Sequence, residues 1–122
     1  MMSAAEITIG ASAEPRRFER RRNPRYPLMA DVEIIDLESA TTITARTSDF
    51  SRGGCYVDML NPLPEDTLVR LRVTKSQQTF ETQAKVVYSS VGMGMGLMFG
   101  ALDMTQRVVL ERWLTQLCGA HA

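Results

Sequence analysis

Apolar residues recur with a period of two in several short segments between residues 28 and 100, and this alternation most constrains the fold. In residues 80–88, for example, Phe80, Ala84 and Val86 alternate with charged or polar side chains. Alternation of this kind is typical of β-strands that bury one face. The other expected strands are residues 28–37, 41–47, 55–59, 69–73 and 97–99.

The period changes after Asp103 to the spacing of an amphipathic helix. The apolar stripe consists of Leu110, Trp113, Leu114 and Leu117. This spacing predicts a helix over residues 105–117, with Trp113 in the core and Gly119 ending the helix. About six short strands followed by one helix predict an all-β chain with a terminal helix. The expected architecture is a small antiparallel β-barrel whose helix covers an opening or a partner surface.

Nearly half of the 14 Lys and Arg residues lie within residues 16–25, where Glu19 is the one acidic residue. The cluster comprises Arg16, Arg17, Arg20, Arg21, Arg22 and Arg25. Residues 26–122 carry 8 basic and 11 acidic residues, a balance of −3. Crowded like charges repel one another unless an anion compensates them. Because the charge is local rather than spread over a face, we expect a small, compact anion as the partner and not a nucleic acid.

Other residue types disfavour several classes of protein. No segment approaches the ~18 apolar residues of a membrane span, and residues 1–15 lack the apolar core of an export signal, so we expect a cytoplasmic protein. His121 is the only histidine, and no metal-ligand or phosphate-loop spacing occurs. We therefore expect a binding module without cofactor or metal, and not an enzyme. Cys55 and Cys118 are expected to be two reduced, buried thiols.

Two short motifs carry the most specific chemistry. Arg21 and Arg25 stand four residues apart before the first strand, and residues 49–54 form the turn-like sequence DFSRGG. If the two intervening strands pair as a hairpin, both motifs lie at the same end of the sheet. Guanidinium groups bind phosphate oxygens, the Asp49 carboxylate accepts from a guanine N–H edge, and Ser51 can donate and accept. Gly53 and Gly54 permit positive φ and a close approach of a flat base.

At these motifs the chain resembles the PilZ domain family, the bacterial receptors for cyclic di-GMP. The family signature is RxxxR followed further along the chain by [D/N]xSxxG. The matching positions are Arg21 and Arg25, then Asp49, Ser51 and Gly54. Residues 94–99 are similar to the last barrel strand of the family, which precedes a C-terminal helix. The resemblance covers residues 16–118 and implies a six-stranded antiparallel β-barrel with the arginine-rich segment wrapping over its surface.

The resemblance also implies roles for individual residues. Arginines of the first motif engage phosphates and guanine, the acid and serine of the second contact guanine, and the glycine keeps the turn open. An arginine just before RxxxR accompanies two stacked ligand molecules in the family, and Arg20 has this position. The implied ligand-binding residues are Arg20, Arg21, Arg25, Asp49, Ser51 and Gly54. The implied function is a cyclic di-GMP receptor that changes the conformation of its arginine segment and signals by contacting another protein.

The expected organisation has a flexible tail followed by one domain. Residues 1–15 form the tail and residues 16–118 the domain, with the arginine-rich segment at 16–26, the barrel at 28–100 and the helix at 103–118. Two alternatives remain open. One is an adaptor of the same fold that contacts proteins without binding a nucleotide. The other is a nucleic-acid binder with a basic arm, whose affinity would depend steeply on salt.

Overall fold

The computed structural model describes residues 24–121, which form strands that close into a barrel and one terminal helix. The elements are β1 (Tyr26–Pro27), β2 (Asp31–Asp36), β3 (Thr42–Phe50), β4 (Gly54–Asp58), β5 (Leu68–Lys75), β6 (Gln78–Ser90), β7 (Gly94–Phe99) and α1 (Met104–His121). The ring runs β3-β2-β5-β6-β7-β4, and β4 pairs back onto β3 to close it. The expected six-stranded antiparallel barrel with a C-terminal helix is therefore confirmed. The expected tail at residues 1–15 lies outside the described residues.

The alternating sequence pattern builds the barrel wall. In β5, Val69, Leu71 and Val73 are fully buried, whereas the arginines between them point to solvent. All neighbouring strands of the ring are antiparallel. Because each of the six strands of the ring has a partner on both sides, closure removes the exposed edges that an open sheet would present.

Several expected boundaries are wrong; the strand expected from residue 28 begins at Asp31, for example, and two further differences affect the surroundings of the motifs. The third strand continues to Phe50, so Asp49 and Phe50 belong to a strand and not to the following turn. Pairing explains the extension, because β1 and β4 both pair with these two residues. The helix continues past Gly119 to His121. Gly119 lacks the positive φ with which a glycine ends a helix.

Helix α1 covers the interior of the barrel with its apolar stripe. Leu110 and Trp113 are fully buried, and Leu114 and Leu117 are at most 9% exposed. The centroid of the Trp113 ring lies 6.0 Å from the centroid of the Phe50 ring and 6.1 Å from that of the Phe80 ring. This cluster confirms Trp113 as a core residue. Within residues 24–121, no helix is both long enough and apolar enough to cross a membrane.

Thr47 holds the segment between β1 and β2 against β3. Its side chain is fully buried, and its hydroxyl donates to Leu28 O at 2.7 Å. The same oxygen accepts a hydrogen bond from Ala30 N at 3.0 Å. Two backbone groups that have left the regular ladder are thereby satisfied. The position of the segment that joins β1 to β2 therefore depends on this side chain.

We expect Thr47→Val to lower the free energy of unfolding by about 1–3 kcal/mol, since two buried backbone groups lose their partner. Thr47→Ser is the matched control, because it keeps the hydroxyl and loses one methyl group, at a cost of about 1 kcal/mol. Urea denaturation of both variants measures the difference. Equal stability of the valine and serine variants would contradict this role of the hydroxyl.

Candidate functional site

Arg25 and Asp49, one from each sequence motif, lie side by side at one edge of the barrel. Strand β1 brings them together, because Tyr26 pairs with Phe50 and Pro27 with Asp49. Arg25 Nη2 lies 3.5 Å from Asp49 Oδ2, and the two side chains are 42% and 23% exposed. The arginine therefore offers donors to solvent beside an acid that is mostly shielded from it. Proline suits this short edge strand because one side of it makes no ladder hydrogen bonds.

A β-bulge in β3 turns Asp49 to the outside of the barrel. Thr47 pairs with Val57, but the next paired residue of β3 is Asp49, opposite Tyr56. Ser48 is therefore an extra residue in β3. In a regular strand Asp49 would share the inward face of Thr47, two residues earlier. The extra residue reverses the alternation, so Asp49 faces outward and Phe50 enters the core.

Ser51 shapes the turn that follows β3. Its side chain is buried, and Ser51 Oγ accepts hydrogen bonds from Gly53 N and Gly54 N, both at 3.2 Å. The hydroxyl also lies 3.2 Å from Gly54 O, to which it donates, and Ser51 N donates to the same oxygen at 2.8 Å. This network is a serine-stabilised turn. These hydrogen bonds of the Ser51 hydroxyl stabilise the conformation of the turn next to Asp49.

The reason for the glycines of this turn differs from the expected one. Neither Gly53 nor Gly54 has a positive φ. A Cβ on Gly54 would lie 2.0 Å from Leu97 O, inside the neighbouring strand β7. The positive φ that these glycines were expected to permit therefore occurs at neither of them. Gly54 is required because β4 and β7 approach closely at this point.

Arg52 connects the turn to the terminal helix. Its guanidinium makes a two-pronged contact with Glu111, with Nε and Nη2 each 2.7 Å from a carboxylate oxygen. The hydrogen bond from Arg52 lowers the pKa of Glu111, and the same contact raises the pKa of Arg52. The sequence analysis assigned no role to Arg52. Its position inside the second motif was the only signal, because its partner is 59 residues away.

Tyr26 forms a second connection to the helix, at the Cys118 side chain. A hydrogen bond between the two side chains raises the pKa of Tyr26. Pro24, Tyr26, Arg52 and Leu114 are among the residues lining the groove between β1 and the end of α1. Cys118 is exposed, so the expectation of two buried thiols is wrong for this residue and correct for Cys55. Cys118 lies one residue beyond the buried apolar stripe of α1, on its outer side.

Two predicted ligand-binding residues, Arg20 and Arg21, lie outside the described residues. The structure brings the other four to the same edge of the barrel, at the β3–β4 turn and the start of β1. These four are Arg25, Asp49, Ser51 and Gly54.

Comparison with protein families finds a match, and it includes the residues of both motifs. The family described as PilZ domain matches residues 19–116, which include both motifs and the whole barrel. Comparison with curated proteins finds no match.

Several solved structures share the fold. The PilZ domain of YcgR from Escherichia coli with c-di-GMP has a TM-score of 0.68 and 18% identity, covering 84% of this chain and 94% of that chain. YcgR from the same organism in complex with c-di-GMP has a TM-score of 0.69 and 20% identity, covering 84% and 47%. The PilZ domain of CeSA from a cellulose-synthesising bacterium has a TM-score of 0.62 and 23% identity, covering 80% and 98%.

The Arg52–Glu111 ion pair makes stability depend on pH. The pKa of Glu111 is lower in the folded state than its ordinary value of 4.5. The ion pair therefore contributes fully to stability above pH 4.5, and this contribution is lost as pH falls through the folded-state pKa. We expect Glu111→Gln to cost at most about 1 kcal/mol at pH 7, since both side chains are partly exposed. The cost should shrink at pH 3. Urea unfolding at both pH values measures it.

Glu65→Gln, in the loop before β5, is the matched control for the loss of one negative charge. Its effect on unfolding should be smaller than that of Glu111→Gln at pH 7. If the two variants show the same stability at both pH values, the ion pair contributes nothing.

Proposed function

Because the chain belongs to the PilZ domain family, we propose that it is a receptor that binds cyclic di-GMP at the Arg25–Asp49 edge of its barrel. The observation that carries the proposal is the 3.5 Å contact between Arg25 and Asp49, which joins the two motifs in space. The E. coli YcgR structures of similar fold contain this ligand. The proposed role is binding without chemistry, so it requires no catalytic group, metal or further cofactor.

The chemistry of this edge fits a ligand that has both phosphate and guanine. The Arg25 guanidinium can pair with a phosphate oxygen through charge-assisted hydrogen bonds. The Asp49 carboxylate accepts hydrogen bonds, which suits the N–H groups of a guanine edge. Their present contact spans 3.5 Å, which is long for a charge-assisted bond. A bound nucleotide therefore replaces a weak contact with shorter ones to both side chains.

Ser51 and Gly54 contribute to the proposed site through the shape of the turn. Ser51 fixes the turn by hydrogen bonds within it, and Gly54 lets β4 lie close to β7. Arg20 and Arg21 supply further guanidinium groups from the preceding segment. With Arg20 stacked on an exposed guanine, the site holds two stacked ligand molecules.

The proposed signal is a conformational change of the arginine-rich segment, residues 16–25. Its positive charges repel one another, and the two phosphates of the ligand compensate them. The segment then closes over the edge of the barrel, which changes the surface offered to a partner protein. Tyr26 and Arg52 contact α1 next to this edge. The change therefore reaches the helix as well as the barrel.

The ligand site is tested by titration calorimetry of the full chain with cyclic di-GMP. We expect saturable binding by the parent chain, and a loss of about tenfold or more in affinity for Arg21→Ala, Arg25→Ala and Asp49→Ala, since each removes a charge-assisted contact. The same titration gives the number of ligand molecules per chain.

Arg46→Ala is the matched control, because it removes an equal charge from the outer face of β3. Arg46 lies beside Asp31, at 3.9 Å, and further from the turn. At physiological salt we expect its affinity to stay within about twofold of the parent chain. Equal losses in Arg25→Ala and Arg46→Ala would favour a nonspecific basic arm, and unchanged binding in all the variants would place the ligand elsewhere.

The conformational change is tested by amide hydrogen exchange with and without cyclic di-GMP. We expect exchange of the amides in residues 16–25 to slow on ligand addition, because the segment becomes ordered against the barrel. The amides of β5, on the opposite part of the ring, serve as the internal control. Binding without any change in exchange of residues 16–25 would contradict the proposed signal.

A further inference from the structure

Three large apolar side chains at one end of the barrel are exposed to solvent. Val91 is 83% exposed, Leu60 73% and Met93 66%. Val91 and Met93 lie in the turn between β6 and β7, and Leu60 lies in the loop after β4. The backbone N of Gly92, the residue between the first two, donates to Leu60 O at 2.7 Å. The three side chains therefore surround one glycine, and we call them the apolar tip.

The backbone of the apolar tip is held in place by hydrogen bonds and by restricted residues. Met59 N donates to Met93 O at 3.2 Å, which continues the pairing of β4 with β7. Gly92 has a φ of 84°, a left-handed value that glycine adopts readily in a tight turn. Pro62 and Pro64 restrict the loop that follows β4. A partner therefore meets side chains on an ordered backbone, so binding loses little conformational entropy.

The grouping of these side chains distinguishes them from the other exposed apolar residues. Single exposed leucines such as Leu37 and Leu68 are ordinary on a protein surface. The apolar tip instead joins three such side chains on two loops that are hydrogen-bonded to each other. A continuous exposed apolar patch is typical of a surface that binds another molecule.

The segments that carry the apolar tip contain only negative charges. Residues 53–69 and 86–100 include three acidic residues, Asp58, Glu65 and Asp66, and no Lys or Arg. Asp58 ends β4, two residues before Leu60. A surface of this sign attracts a basic partner. It repels an anionic membrane surface, and it also repels the same surface of a second copy.

We propose that the apolar tip binds the apolar face of a basic amphipathic helix in a partner protein. Leu60, Val91 and Met93 contact that face, and Asp58 attracts the basic residues beside it. The tip is separate from the candidate ligand site, because Gly54 begins β4 and Asp58 ends it. The inference rests on the proposed function only for the role of this contact, which is to carry the signal to the partner.

NMR titration of the isotope-labelled full chain tests the inference with a synthetic amphipathic helix of leucine and lysine. We expect the largest changes in amide shift at residues 58–60 and 91–94. A helix of leucine and glutamate with the same apolar face should bind about tenfold more weakly or less, since its charges repel the acidic residues. Added salt should weaken the binding of the lysine helix, because the charges involved are exposed.

Substitutions separate the apolar contact from the charge. Leu60→Ser, Val91→Ser and Met93→Ser should each weaken binding of the lysine helix by about fivefold to tenfold, because each removes apolar area that the helix buries. Asp58→Asn should weaken it by about twofold to fivefold, the effect of one exposed charge. Leu68→Ser, on the outer face of β5, is the matched control and should stay within about twofold of the parent chain.

Other occupants of the apolar tip give different results. Self-association of the parent chain in sedimentation, abolished in Val91→Ser, would identify a contact between two copies. Binding to phosphatidylglycerol vesicles that is lost in Val91→Ser would identify a lipid surface. Either result would overturn the inference, as would equal binding of the two helices, absence of binding by the lysine helix, or unchanged binding in the three serine variants.

The inference and the proposed function fail separately. In calorimetry with cyclic di-GMP, the three serine variants should keep the affinity of the parent chain within about twofold, because the two surfaces are distant from each other. Absence of nucleotide binding by the parent chain would overturn the proposed function and leave the apolar tip as a protein-binding surface. Loss of nucleotide binding in the serine variants alone would contradict the separation of the two surfaces.

Discussion

The β-bulge between Thr47 and Asp49 determines which side of the barrel wall carries the acidic side chain. Without the extra residue, strand alternation would point Asp49 into the core, towards Phe80 and Trp113, in place of Phe50. A buried carboxylate in such surroundings would be strongly destabilising. The bulge places the ring of Phe50 in that core and the carboxylate at the surface. The candidate site and the aromatic core are therefore two faces of the same strand end.

The strand end with the bulge is also connected to the terminal helix in three ways. Phe50 packs against Trp113, Arg52 pairs with Glu111, and Tyr26 of β1 forms a hydrogen bond with Cys118. The first contact is apolar and buried, whereas the other two lie at the surface. Surface contacts of this kind cost little to rearrange. A change at the edge of the barrel can thus alter the outside of the helix while the core stays packed.

The glycines of the barrel wall have different physical origins. Gly54 and Gly94 lie where neighbouring strands leave no room for a Cβ, and their substitution would disturb the ring itself. Gly96 lies in the same wall with ordinary space around it. The sequence shows three similar glycines in β-strands, and only the distances to neighbouring backbone atoms separate a requirement of the fold from a feature of the surface.

The sequence by itself determined the six strands of the ring, the helix and the chemistry of the motifs, because each depends on local periodicity or on the nature of a side chain. The alternation in residues 69–73 and the stripe from Leu110 to Leu117 directly predicted their buried faces. Only the tertiary structure decided the extension of β3 to Phe50, the pairing of β1 with β3, and the contact of Arg52 with Glu111. Each of these depends on a partner distant in sequence, or on one extra residue in a strand. No local pattern records such a partner, since closure of the ring determines which strand ends meet.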